Sequence, residues 1–455
     1  MQTISENLGA YASTLKYEDL PENVIHQAKR TIIDTLGCAF GGYTSEPSKI
    51  ARDIAGLVSS SQPATILCSG QKTSADLAAF ANDVMIRYLD FNDGYISKGS
   101  GHPSDSIAAL LAAAEVTHAG GRDLIVATVL AYEVFCGICD AWDNKPIGID
   151  HATMGGIASA VGVARLLGLT QQQIIEAINL TVAANIALNQ TRGGNVSKWK
   201  ACGYGNANRN AIFAAQLAAR GMTGPSQIFE GRDGFFNVVS RRPFELAPFG
   251  GNGHPFRIMH SSTKQFPLCQ YSQTVVRAAL EARALIEGVR DIAEVHVRTL
   301  QTALNVMADD PEKWHPRNRE TADHSMPYTV AVALMYGAVD QCYFGEQYLR
   351  DKELLDLVGR IKCLPSEEAN RRESEMNLCD LEVVMRSGKR KSTRVEYHRG
   401  HWRNPMSDAE METKFRSLAA SMLPVARVDV LLEQLWKLED LPEVGTLIRM
   451  TECNC

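Results

Sequence analysis

The sequence has no uninterrupted apolar run of about 18 residues, the length a membrane-spanning helix needs. Its best candidate, LIVATVLAYEVFCGICDAW, carries Glu133 near the middle, so a soluble protein with no membrane partner is expected. The start, MQTISENLGAYASTL, lacks the basic residues and apolar core of an export signal and reads directly as a helix, which implies a cytoplasmic location. There is no long basic tract, and a formal net charge of -6 argues against a nucleic-acid partner while leaving room for a local basic pocket. No fixed-period repeat, low-complexity segment or long linker occurs. Cofactor fingerprints are also missing. Gly203-Tyr-Gly205 lacks the third glycine of a dinucleotide loop and follows no strand, and G-x-x-x-x-G-K-[ST], H-E-x-x-H and G-x-S-x-G are absent. The histidines show no metal-ligand spacing: His398 and His401 stand alone, and His102 and His151 are far apart. Neither a metal nor an organic cofactor is expected.

Eleven cysteines in a long chain without an export signal read as reduced thiols in packed helices. Cys136-Gly-Ile-Cys139 matches a redox or zinc motif by letter only, because no second pair follows and its surroundings form an apolar helix. Cys453 and Cys455 read as incidental residues of a frayed terminus.

At 455 residues the chain exceeds what one core normally holds, so a large domain plus a smaller one, or two similar domains, is expected. Hydrophobic residues at 45% and charged residues at 22% suit a globular protein. As far as Leu268, helix follows helix. Pro21-Glu22 opens a segment in which Val24, Ala28, Ile32, Leu36 and Phe40 recur at four-residue steps before Gly41-Gly42 ends it. Several later helices are apolar nearly all round, as inside a multilayer bundle. The small-residue stretch GGIASAVGVA lets helix backbones approach closely, and Thr170 with Gln173 forms a capping box. Beyond residue 285 the texture changes. DIAEVHVRTL alternates as a strand, and residues 379–397 read as two strands around Ser387-Gly388-Lys389-Arg390. Helical segments ETADHSMPYTVAVALMYGAV and DKELLDLVGRI lie between, and the chain ends in helices again. The expectation is a mainly α protein: a large all-helical domain at 1–265, discontinuous if the helical end at 405–455 folds back onto it, plus a smaller α+β domain at 266–404. Ligands favour such a domain interface.

The candidate chemistry lies at helix ends. Asp90-Phe-Asn92-Asp93 closes one helix, where an acid opposes the macrodipole, and the alternative is a solvated turn. His102-Pro103 opens the next helix with Ser104 or Asp105 available as cap, and His151 stands at another helix mouth, where the dipole lowers an imidazole pKa. Lys198 and Lys200 precede a glycine turn and a helix that Asn206 could cap. They make either an anion site or a plain surface loop. Lys264 and Arg257 are further cations near the domain boundary. If these loops converge, the result is a basic pocket suited to a polycarboxylate and proton-transfer chemistry.

The segments IIDTLGCAFGG, LDFNDGY, GHPSD, GIDHATMGGIASAVGVARLLGLT, SKWKACGYGNANRNA, KQFPLCQYSQTVV, ADHSMPYTVAVAL and EYHRGHWRNPMS run in order from residue 32 to 407. Together they resemble the MmgE/PrpD family, which includes 2-methylcitrate dehydratase, cis-aconitate decarboxylase and iminodisuccinate epimerase. The resemblance implies a helical domain built from both chain ends, an α+β lid, a site between them and a homodimer. It also implies proton removal next to a carboxylate without metal, nucleotide or flavin. By position it implies that Asp90, His102, His151 and Lys200 are catalytic and that Lys264 and Tyr328 bind substrate. Cys269 replaces a histidine of the decarboxylase branch, and Gly94 replaces a threonine, while HPSD is similar to the dehydratase branch. A hydro-lyase acting on a 2-methylcitrate-like di- or tricarboxylate is therefore expected. The two lysines would hold carboxylates, His102 or Asp90 would take the proton, and His151 would protonate the departing hydroxyl. The alternatives are an epimerase of an imino- or amino-dicarboxylate, a decarboxylase, or a non-catalytic carboxylate-binding scaffold.

Overall fold

Helix boundaries follow local chemistry. Thr170 accepts from the Gln173 amide and the Gln173 side chain accepts from the Thr170 amide, so the capping box opens the helix Gln171–Ala184. The helix Glu22–Gly42 buries Val24, Ala28, Ile32, Leu36 and Phe40, the stripe its four-residue spacing predicts. The computed structural model describes residues 2–453 except 374; Cys455 lies outside these residues.

Glu22–Gly42 packs chiefly on the helices Ala75–Tyr88 and Asp408–Ala419, and Ala75–Tyr88 continues into a bundle in which Ile107–Val116, Gly121–Ala141, Ala152–Leu166, Gln171–Ala184 and Gly203–Ala219 pack on one another. Gly121–Ala141 is the one helix among the described residues long and apolar enough to cross a membrane, and 89% of its most apolar window is buried inside the protein. It is a core helix. Cys136 and Cys139 lie fully buried on it, and burial pushes both thiols well above their ordinary pKa, as expected of packing residues.

Two hydrophobic cores form. The first runs from Ile4 to Ile258 and resumes with Phe415 to Cys453; the second is built from residues between Phe266 and Val395. The terminal helices Asp408–Ala419, Val425–Trp436 and Val444–Met450 fold back onto the first core. At Gly121 an added Cβ would lie 1.6 Å from the Leu438 carbonyl oxygen, so this return requires glycine. Cys453 is buried, and its amide donates to the Cys68 carbonyl at 2.7 Å; the chain end is therefore tied down here instead of frayed.

The second core covers one face of a four-stranded sheet ordered Ile361–Pro365, Ile292–Thr299, Cys379–Met385, Arg390–Val395. The first pairing is parallel and the other two are antiparallel. Cys379, Leu381, Val383 and Met385 alternate inward, and the helix Ser272–Leu285 packs against this sheet. Gly388 in the connecting turn has φ +83°, as the turn sequence predicts. The strand Ile361–Pro365 differs from expectation. The helix before it stops at Val358, and Ile361 enters the sheet at its edge, where one face packs and no alternating pattern extends far enough to read. The fold is mainly α with a small mixed sheet.

Candidate active site

Asp90 follows the helix Ala75–Tyr88 in a left-handed conformation, φ +51°, which aspartate tolerates better than most residues. The turn points inward: Asp90, Asn92 and Asp93 are all buried, so it is not a solvated turn. Several cations offset the buried acid at the helix end. Arg87 Nη1 lies 2.6 Å from Asp90 Oδ1, Lys264 Nζ donates to both the carboxylate and the main-chain carbonyl, and Lys200 Nζ is 3.3 Å from Oδ2. Burial alone would raise this carboxyl, but Arg87, Lys264, Lys200 and His324 together hold it well below the carboxylate range.

His102 sits beside it. Nδ1 is 2.6 Å from the Asp93 carbonyl oxygen, so Nδ1 carries the hydrogen and Nε2 keeps its lone pair, 3.9 Å from Asp90 Oδ1. Burial, then Arg87 and Lys264, push His102 well below its ordinary pKa, leaving the imidazole neutral. Ser104 and Asp105 do not cap the next helix. They lie in the 3₁₀ turn Pro103–Ser106, where Ser104 Oγ donates to Asp93 Oδ1 and Asp105 Oδ1 accepts from Asn92 Nδ2, each at 2.5 Å. Burial raises the Asp93 carboxyl to about 7.

The His151 ring centroid is 5.1 Å from that of His102. It precedes the helix Ala152–Leu166, but burial is the larger cause of its lowered pKa. Its Nδ1 faces Asp150 at 3.5 Å, and Arg192 Nη2 is 3.5 Å from Nε2. Arg192 donates Nε to Asp150 Oδ2 at 2.7 Å.

The cations are distributed differently from the sequence expectation. Lys200 is buried against Asp323 Oδ1 at 2.6 Å, whereas Lys198 is exposed and pairs with Glu46. Asn206 lies inside the helix Gly203–Ala219 and does not cap it. Arg257 bonds Glu133 and Asp140, each at 2.9 Å, and does not join the cluster. Nor does Tyr328, whose hydroxyl donates to the Tyr343 carbonyl at 2.7 Å within the second core. The same ADHSMPY segment instead delivers Asp323 and His324. His324 Nδ1 is 2.7 Å from Asp323 Oδ1, Nε2 is 3.5 Å from Asp90 Oδ2, and burial lowers this imidazole to about 3. The Asp-His dipeptide was the available signal for this pair.

A cleft of about 790 Å³ opens between the two cores. His102, His151, Arg192 and Lys145 line it from the first core, and Cys269, Gln270 and His324 from the second. Asp90, Lys200 and Lys264, exposed by 1%, 3% and 0%, lie behind this lining. An added Cβ at Gly94 would lie 2.6 Å from Gln270 Oε1, so that wall depends on glycine there. Asp90, Asp323 and His324 bring potential metal-ligand atoms within 4.8 Å of one another, although no sequence spacing suggests it. The Lys200 ammonium, close to both carboxylates, already supplies a positive charge at that place.

Residues 6–247 match the MmgE/PrpD N-terminal domain, and residues 266–438 match the MmgE/PrpD C-terminal domain. The chain belongs to the MmgE/PrpD family. A 2-methylcitrate dehydratase of Cupriavidus necator is 30% identical over 362 residues, covering 74% of this chain and 72% of that protein. A cis-aconitate decarboxylase of Homo sapiens is 26% identical, covering 98% and 94%. A 2-methylcitrate dehydratase of Salmonella typhimurium is 28% identical, covering 94% and 93%. Both names denote lyases, and this MmgE/PrpD chain is an enzyme.

Proposed function

We propose that this enzyme is a hydro-lyase that removes water from a 2-methylcitrate-like hydroxy-polycarboxylate. The observation that carries the reading is the His102 tautomer: a neutral imidazole with its Nε2 lone pair beside the Asp90 carboxylate. His102 takes the proton from the carbon next to a carboxylate, and Asp90 stabilises the imidazolium that forms. The electron pair of that C–H bond becomes the new C=C bond, the C–O bond breaks, and His151 protonates the departing hydroxyl as water. The substrate's own carboxylates raise the His151 pKa when they bind, charging it for this step. Arg192 and Lys145 receive those carboxylates from the cleft wall, while Lys200 and Lys264 hold Asp90 in its ionised form and do not touch substrate.

Gly94 and Cys269 favour dehydration over decarboxylation. A threonine at 94 would press against the Gln270 side chain, and the Cys269 thiol, raised in pKa by burial, is a weaker acid than the imidazolium that a histidine there would offer a carbanion. The reading includes a cytoplasmic homodimer that works without metal. The test follows alkene absorbance with purified enzyme, 2-methylcitrate or citrate, and a chelator. Alkene formation that survives the chelator is expected. Failure to dehydrate either acid, alongside decarboxylation or α-carbon deuterium exchange of another polyacid, would overturn it. Sedimentation at the mass of one chain would refute the dimer.

A further inference from the structure

Lys414, on the returning helix Asp408–Ala419, contributes nothing to the cleft lining. Its ammonium is nevertheless buried and has three partners from three distant segments. It lies 2.7 Å from Asp34 Oδ1 on the helix Glu22–Gly42, donates to the Phe91 carbonyl at 2.7 Å, and donates to the Lys264 carbonyl at 3.0 Å. It also sits 3.8 Å from the centre of the Phe91 ring. The two carbonyls belong to the segments that carry Asp90 and Lys264, and Lys264 Nζ in turn bonds the Asp90 carboxylate and carbonyl. One cation therefore joins the backbones behind the Asp90–Lys264 pair, and Asp90 Oδ1 stands 3.9 Å from His102 Nε2.

We infer that Lys414 is a positioning residue: it holds the Asp90 and Lys264 backbones in register so that the Asp90 carboxylate faces the His102 imidazole. This role rests on the proposed reading of His102 as the base. Asp34 offsets the charge of the buried ammonium but touches neither carbonyl, so the two contributions separate by mutation. Lys414→Met alone would leave Asp34 buried and unpaired, whereas Asp34→Asn combined with Lys414→Met removes both charges at similar volume and preserves folding.

The experiment compares Asp34→Asn with the double variant. Asp34→Asn keeps kcat within about threefold of wild type, because the lysine retains both carbonyls. The double variant loses about 100-fold in kcat, the scale of a misplacement near 1 Å, with KM within about threefold. The acid limb of its kcat/KM profile moves to lower pH, since His102 loses its facing carboxylate. Hydrogen exchange of the amides at residues 89–94 and 262–266, read without substrate, rises in the double variant and not in Asp34→Asn. A folded double variant with unchanged exchange in both segments overturns the positioning role, whatever the enzyme's substrate. Increased exchange with kcat and the pH profile unchanged overturns its link to His102. Wild-type enzyme that dehydrates neither acid overturns the functional reading instead, while the exchange comparison still decides the tie.

Discussion

The Nδ1 of His102 lies 2.6 Å from the main-chain carbonyl oxygen of Asp93, and this single hydrogen bond decides which nitrogen of the imidazole faces Asp90. The carbonyl cannot titrate, so the tautomer holds across the working pH range. His102→Gln is expected to lose about 10²- to 10⁴-fold in kcat, the usual contribution of a general base. Binding of the unreactive tricarboxylate tricarballylate, measured by calorimetry, should change little.

The pH profile tests the same residue. The base works in its neutral form, present above the folded-state pKa, and burial with Arg87 and Lys264 sets that pKa well below 6.5. The acid limb of wild-type kcat/KM should therefore lie below pH 6.5. An acid limb at or above 6.5 would contradict the assignment.

Arg192 uses Nε on Asp150 and presents Nη2 beside His151 in the cleft. Arg192→Met should raise KM for a polycarboxylate by about 10- to 100-fold, the worth of a charge-assisted hydrogen bond. Arg192→Lys should recover only part of this, because an ammonium cannot bond Asp150 and substrate in one planar fork.

Gly94→Thr places a Cβ 2.6 Å from Oε1 and 2.8 Å from Cδ of the buried Gln270 side chain. Chemical denaturation should show a loss of about 1–3 kcal/mol, typical of overpacking. Adding Gln270→Ala should restore part of it. Additive losses in the double variant would argue against the contact.

His398 is buried, and burial lowers its pKa to about 4. Its unfolded value is near 6.5, so between pH 6.5 and 4 the unfolded chain binds a proton that the folded protein refuses, and this site's contribution to stability falls as pH falls. His398→Gln cannot titrate. The stability of wild type relative to this variant should therefore drop by up to about 3 kcal/mol as pH goes from 6.5 to 4, read from denaturation curves at each pH.

Much of the architecture is written in local pattern. The stripe from Val24 to Phe40, the Thr170 capping box and the glycine turn at Gly388 depend on residues a few positions apart, and the structure follows each of them. The strand Ile361–Pro365 escapes such reading because it is short, lies at a sheet edge, and is defined by pairing with Val295–Thr299, more than sixty positions away. The resemblance in GHPSD, SKWKACGYG and KQFPLC points to His102, Lys200 and Lys264, and all three side chains meet at Asp90. Tyr328 does not join them, because on the helix Met326–Tyr336 its side chain turns into the second core, four residues after the segment has delivered His324 to the cleft.

By itself the sequence determined the helix-forming segments, the α+β texture beyond residue 285, the family and the residue types available for proton transfer. Tertiary structure decided where each charge sits. Lys200 and Lys264 look like substrate-binding cations in the sequence, yet folding buries them against Asp90 and leaves Arg192 and Lys145 on the cleft wall. The physical reason is that a side chain's role depends on its solvation and on its charged neighbours. The ion pair between Lys264 and Asp90 joins residues 174 positions apart. No local pattern encodes that distance; the packing of the two cores does.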